Sequence, residues 1–278
     1  MRKLIISLCL LALPLVYGYG QLNVAGVVGN SGYSVLRASF ETPLVIVPGM
    51  SVQAKYALFE HEHMSAMSRY ALGLNYELPF IDIVKVGVEG GFQPKANAYS
   101  NYYYDINGSI ELNEILFRMF PTDQLRLGLG YRGTHHTFYN SPDFNITQTD
   151  IYAYLYQRTG GFDASINYAK AVSYSADTSL APAPPPWLDI PNLVSAYYGF
   201  LDYSIGANAG YTYQFIRPYA AYNFLKIQNA PDTDNFRVGI TAQIAAITVN
   251  AAVEWINFTR NTDSRERFLS LSAGVSLL

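Results

Sequence analysis

Cysteine is almost absent from this 278-residue chain: there is one, Cys9. It lies in an apolar run over residues 4–16, behind the basic start Met1-Arg2-Lys3 and ahead of the small residues Gly18 and Gly20. That order reads as a secretory signal peptide over residues 1–20, cleaved after Gly20 to leave Gln21 first. Leu8 stands before Cys9 where a lipoprotein site wants a small residue, so lipidation is not expected. An exported chain without a further cysteine has no disulfide and no thiolate metal site. No cofactor is expected either.

Charge is scarce as well. Charged residues make up 14% of the chain, against roughly 25% in soluble globular domains. The formal net charge is −3, and cleavage removes two cations, Arg2 and Lys3, and no acid, which makes it −5. A mildly acidic chain lacks the basic footprint of a nucleic-acid binder. Past Gln21 no apolar run approaches the roughly eighteen residues of a membrane helix, and helical periodicity is missing. Any membrane crossing must be made by strands.

What the sequence has is alternation. In residues 69–92, Tyr70, Leu72, Leu74, Tyr76 and Leu78 share one parity, and Arg69, Ala71, Gly73, Asn75 and Glu77 the other. After a break at residues 79–82, Val84, Val86 and Val88 oppose Lys85, Gly87 and Glu89. Successive strand side chains face opposite sides, so this is a hairpin with one apolar and one polar face. The pattern recurs over residues 50–60, 66–78, 83–93, 99–111, 123–138, 147–158, 161–172, 195–215, 218–228, 235–244, 247–259 and 266–278. The reading is all-β, an up-and-down antiparallel transmembrane barrel of about twelve strands at residues 50–278. Short turns and long loops taking turns between strands fit that fold. Residues 21–49 are read either as a plug or as one more hairpin, 22–29 and 33–41, which makes fourteen.

An even strand count, little charge and 24 tyrosines favour an apolar face turned to lipid and a polar face lining a wet lumen. Tyr70, Tyr99, Tyr102, Tyr103, Tyr152, Tyr154, Tyr156 and Tyr219 are among the rings expected in interfacial girdles. The signal "MRKLIISLCLLALPLVYGYG", strands such as "LRLGLGY" and the terminal "RFLSLSAGVSLL" resemble those of Gram-negative outer-membrane β-barrel proteins. The resemblance implies residence in the bacterial outer membrane, with its lipids as partners. The function expected is porin-like passage of a small polar solute, or anchoring of a surface or secretion assembly of other envelope proteins. A lipid hydrolase and a soluble secreted β-sandwich are the alternatives.

Four groups of residues are candidates for chemistry. Arg69, Glu77, Lys85, Glu89, Arg126, Arg132, Arg237 and Glu254 share the non-lipid parity and are expected to line the lumen, as a selectivity constriction or as pairs that fill it. His135, His136 and Ser141 are the hydrolase alternative, although neighbouring histidines on a strand face opposite ways. His61 and His63 around Glu62 hold two imidazoles on one parity, too few for a metal site. The loop at residues 175–192 carries Pro184, Pro185, Pro186 and Trp187, a stiff segment with one large anchor, and is read as a lid or docking loop.

Overall fold

The computed structural model describes residues 20–29, 32–61, 64–78, 83–113, 123–139, 144–182, 199–228, 232–258 and 265–277. Its strands are β1 (Gly20–Gly29), β2 (Ser34–Pro43), β3 (Met50–His61), β4 (Met64–Glu77), β5 (Val84–Ala96), β6 (Tyr99–Glu111), β7 (Gln124–Phe138), β8 (Phe144–Thr159), β9 (Phe162–Tyr174), β10 (Phe200–Tyr211), β11 (Ile216–Gln228), β12 (Thr233–Ile244), β13 (Ile247–Phe258) and β14 (Arg265–Leu277). Each pairs antiparallel with its neighbours in sequence, and β1 pairs with β14. The sheet is single and closed, so a two-sheet sandwich is excluded.

The count is fourteen rather than twelve. The first hairpin, β1–β2, is the pair that the sequence left optional. Pro48, Gly49 and the apolar "LVIV" obscured it because they form the β2–β3 turn, not a strand. That turn is held by Leu44 N–H on Met50 O (2.8 Å) and Val47 N–H on Leu44 O (3.1 Å). Gly49 takes φ +81° in it, and a Cβ there would lie 2.5 Å from Glu77 O. The overlong strand expected at 195–215 is β10, which ends at Tyr211 and leads into a turn bridged by Tyr213 and Ile216.

The connections sort less strictly than expected. Residues 97–98, between the strands expected at 83–93 and 99–111, are a two-residue turn in which Asn97 (φ 50°) and Ala98 (φ 58°) both take left-handed backbone, as tight hairpins require. Asn97 also donates to Ser65 O and accepts from Ser65 N–H, each at 2.9 Å, which ties this turn to the start of β4. The termini of the sheet, Gly20 and Leu277, lie at the opposite end. Register shifts at Phe59/His61, Gln93/Ala96, Thr149/Asp150 and Leu201/Tyr203 all fall toward the long-loop end, where barrel rims commonly carry bulges.

Burial is inverted relative to a water-soluble protein. Leu72, Leu269 and Leu271 on the outer face are 67%, 61% and 60% exposed, whereas Gln148, Asn223 and Asn235 inside are 0% exposed. No helix among the described residues is long and apolar enough to cross a membrane. The crossing elements are the strands.

Candidate functional site

The register places the inward charges side by side. Gly73, Glu89, Asp105, Arg132 and Asp150 are successive partners across β4 to β8. Arg132 Nε donates to Asp105 Oδ2 at 2.9 Å, and Tyr152 Oη and Asn107 Nδ2 donate to Asp105 Oδ1 at 2.6 and 3.0 Å. Glu89 accepts from Lys55 Nζ at 2.6 Å and from Tyr103 Oη at 2.7 Å. Arg69 and Arg132 lie 5.0 and 5.6 Å from the Tyr103 ring centre, two cation–π contacts on one tyrosine. Inside the barrel these partners supply contacts that water would otherwise make.

The other expected lumen residues have partners of the same kind. Arg126 pairs with Glu111, which also accepts from Gln124 at 3.0 Å. Arg237 and Glu254 are register partners; Glu254 accepts from Asn235, and Arg237 lies 5.4 Å from the Tyr219 ring. Glu77 and Lys85 meet at 3.3 Å on the turn side, half exposed. A further pair, Arg217 with Asp163, bridges β11 and β9, with Nε at 2.7 Å from Oδ1. Asp105, Asp163, Lys55 and Arg37 were not among the expected set. Parity alone would have included Lys55, which alternates with Ser51, Gln53 and Ala57 against Val52, Ala54, Tyr56 and Leu58.

Several tyrosines expected in the girdles point inward instead. Tyr99 and Tyr103 are buried, and Tyr152, Tyr154 and Tyr219 lie over glycines of adjacent strands. A Cβ on Gly130 would sit 2.1 Å from the Tyr152 ring, one on Gly128 2.1 Å from Tyr154, one on Gly91 2.4 Å from Tyr103, and one on Gly239 2.5 Å from Tyr219 Oη. The missing side chain lets a ring lie flat on the wall. Only register reveals such a pair, because the two residues are far apart in sequence.

The wall from β14 through β1 to β4 is built differently. Ala57 lies between Arg37 and Arg69 in the register, and Lys55 lies between Ser39 and Ala71. Small residues there, Ala25, Ala57, Ala71, Ser272 and Gly274, leave a cavity of about 340 Å³, onto which Arg37, Lys55, Arg69 and Tyr103 project. Toward the long-loop end the interior turns apolar. Val27, Tyr33, Val35, Phe59, Met67, Ile256 and Phe268 form one buried cluster, and Tyr99, Phe138, Ile146 and Phe200 another. The base of the β9–β10 loop bends onto the second cluster through Ala176 and Ala181, and Thr178 Oγ1 donates to Gln228 Oε1 at 2.6 Å.

On the outside, Tyr56, Tyr70, Phe92, Tyr102 and His135 are successive register partners across β3 to β7. Neighbouring rings in this row lie 4.9 to 5.3 Å apart for Tyr56–Tyr70, Tyr70–Phe92 and Tyr102–His135. With Phe236–Trp255 and Tyr203–Phe224, each 5.9 Å apart, they supply the amphipathic rings that suit a lipid–water boundary. A closed sheet with a lipid-compatible exterior and a hydrogen-bonded interior leaves no unpaired edge in hydrocarbon. The chain is a closed β-barrel of the transmembrane type.

Among solved structures the barrel is similar to CdiB from Acinetobacter baumannii, with a TM-score of 0.55 and 9% identity over 94% of this chain. It spans 60% of the length of CdiB. It is also similar to the Acinetobacter baumannii outer membrane protein Omp33 (TM-score 0.54, 9% identity, 94% of this chain and 98% of that one). The third is the Pseudomonas putida toluene transporter TodX (TM-score 0.52, 8% identity, 93% and 88%). At such identities the likeness is one of fold. No family model and no curated protein matches the sequence.

The remaining candidates are placed as follows. His135 is on the outer face of the barrel, stacked on Tyr102, with Nδ1 3.0 Å from Thr147 Oγ1. His136 faces the interior, buried, with Nδ1 hydrogen-bonded to Tyr99 Oη at 2.7 Å. The two imidazoles are therefore on opposite sides of the wall. Ser141, Glu62, His63, Pro184, Pro185, Pro186 and Trp187 lie outside the described residues, as do residues 1–19 of the segment read as a signal peptide over 1–20. Among the described residues no group of three or more metal-ligating side chains converges.

Proposed function

We propose that this outer-membrane barrel passes small hydrophilic solutes through its lumen, with the β14–β4 wall as the path. The observation that carries this reading is the asymmetry of the interior. Tyrosines and ion pairs fill one side, while alanine, serine and glycine leave the 340 Å³ cavity on the other. A structural plug has no need of a polar, small-residue wall, whereas a permeation path does. The apolar clusters at the long-loop end, with the loop base packed on one of them, act as the constriction that limits flow.

The test is single-channel conductance of the purified barrel in a planar bilayer. Stable ohmic steps are expected, and Phe138→Ala with Phe200→Ala should enlarge them by thinning the second cluster. A folded, heat-modifiable barrel that never conducts, with or without those substitutions, refutes passage. It would favour the second reading, an anchor for an envelope assembly, for which the packed apolar mouth is the supporting feature.

A further inference from the structure

The geometry points to the cavity on the β14–β4 wall as a binding site for small organic anions that present carboxylate or phosphate oxygens. This deepens the passage reading and rests on it for its physiological meaning, but binding itself does not require conduction. Three cationic side chains, Arg37, Lys55 and Arg69, line the cavity, and none of its lining residues is a carboxylate. Glu89 sits behind Lys55 at 2.6 Å and offsets part of that charge from outside the lining.

The spacing is what makes this a site and not a scatter of charge. Arg37 and Arg69 flank Ala57 on the two adjacent strands, so both side chains leave the wall at one level, with only a methyl group between them, and line the same cavity. Lys55 enters two residues along β3 from Ala57. Arg69 is held against the Tyr103 ring and is 6% exposed, so its position is set by packing before any ligand arrives. A preset guanidinium loses little freedom when it forms paired bonds to a carboxylate or phosphate, and such charge-assisted bonds are among the strong ones. Asn23 and Ser272 on the same wall add neutral polar groups.

Size narrows the class. A cavity of 340 Å³ is at the lower end of small-molecule sites, about 300–1,000 Å³. That room suits a di- or tricarboxylate or a small phosphorylated compound, and is too small to enclose a polymer.

The experiment is titration calorimetry on the folded barrel in detergent, with citrate, inorganic phosphate and glucose as probes, alongside conductance of the same preparation. Citrate or phosphate is expected to bind while glucose does not, and whichever binds more tightly identifies the oxygen group preferred. Arg37→Gln with Arg69→Gln should weaken the anion at least tenfold, and Arg37→Lys with Arg69→Lys should recover part of the loss. If the glutamine pair does not fold, as judged by heat-modifiable migration, Lys55→Gln carries the test with a severalfold loss expected. Equal binding of glucose and both anions, or unchanged affinity in the folded variants, overturns the site. Anion binding by a barrel that never conducts would overturn passage and leave the site standing; conduction without anion binding would do the reverse.

Discussion

Replacing Gly130 by alanine tests whether the tyrosine-on-glycine pairs hold the interior together. The new Cβ would lie 2.1 Å from Tyr152 Cζ and 2.4 Å from its Oη, so the ring must leave. The ring's departure breaks the 2.6 Å bond from Tyr152 to Asp105, the acid that also holds Arg132. It also moves the ring away from the Arg132 guanidinium, which lies 5.7 Å from its centre. A hydrogen bond to a charged group contributes about 2 kcal/mol and a partly buried cation–π contact about 1 kcal/mol. Overpacking strain is partly relieved because the ring can swing into the lumen. The expected loss is therefore about 3 kcal/mol, read as a lower urea midpoint for the barrel in lipid vesicles, with Trp255 as one fluorescence reporter. The cycle with Tyr152→Ala decides the cause. Once the ring is gone, Gly130→Ala should cost less than about 0.5 kcal/mol. An equal cost in both backgrounds would refute the reasoning, since it would locate the damage in the backbone and not in the ring.

Asp163→Asn should destabilise the barrel by about 3 kcal/mol, because Arg217 would keep a partly buried charge without its carboxylate; an unchanged urea midpoint would show that the pair contributes nothing. Leu72→Arg, on the outer face of β4, should cost about 2–4 kcal/mol in vesicles if that site lies near the bilayer midplane, and an exterior that tolerates arginine there is not in lipid. Asp177 accepts from Ser179 N–H at 2.9 Å, which holds its carboxyl below the usual aspartate value. A group with a depressed folded pKa contributes above its unfolded pKa and loses that contribution as pH falls through the folded one. The turn at Thr178–Leu180 should therefore persist in mildly acidic buffer and loosen only below the ordinary aspartate range. Side-chain NMR of Asp177 checks this, and titration at or above the ordinary value would contradict it.

Alternation made most of the fold legible. In β4, β5 and β12 the runs Tyr70-Leu72-Leu74, Val84-Val86-Val88 and Phe236-Val238-Ile240 alternate with polar or small residues, and the outer face could be read directly. The first hairpin was harder, because β2 mixes Ser34, Arg37, Ala38 and Ser39 on both faces and leaves no clear contrast. Inward tyrosines were misread for a chemical reason: the ring satisfies a lipid boundary and a polar lumen equally well. Its orientation depends on a glycine in the next strand, such as Gly130 beside Tyr152, which no local window contains. Arg69, Glu89 and Arg132 were recognisable as interior by parity, but their partners Lys55 and Asp105 follow only from pairing. The cavity was not legible at all, since it arises from what Ala57, Ala71 and Ser272 fail to fill.

The β1–β14 seam bears on how the chain reaches this state. Every other pairing joins strands that are neighbours in sequence and can zip from a turn. The seam joins Gly20 to Leu277 and must wait until the twelve intervening strands are in order. Until then two edges stand open, each a template for the wrong partner. Closure is thus the slow, high-contact-order event, and substitutions such as Gly274→Val, whose Cβ would strike Asn23 across the seam, should slow assembly while leaving the individual hairpins able to form.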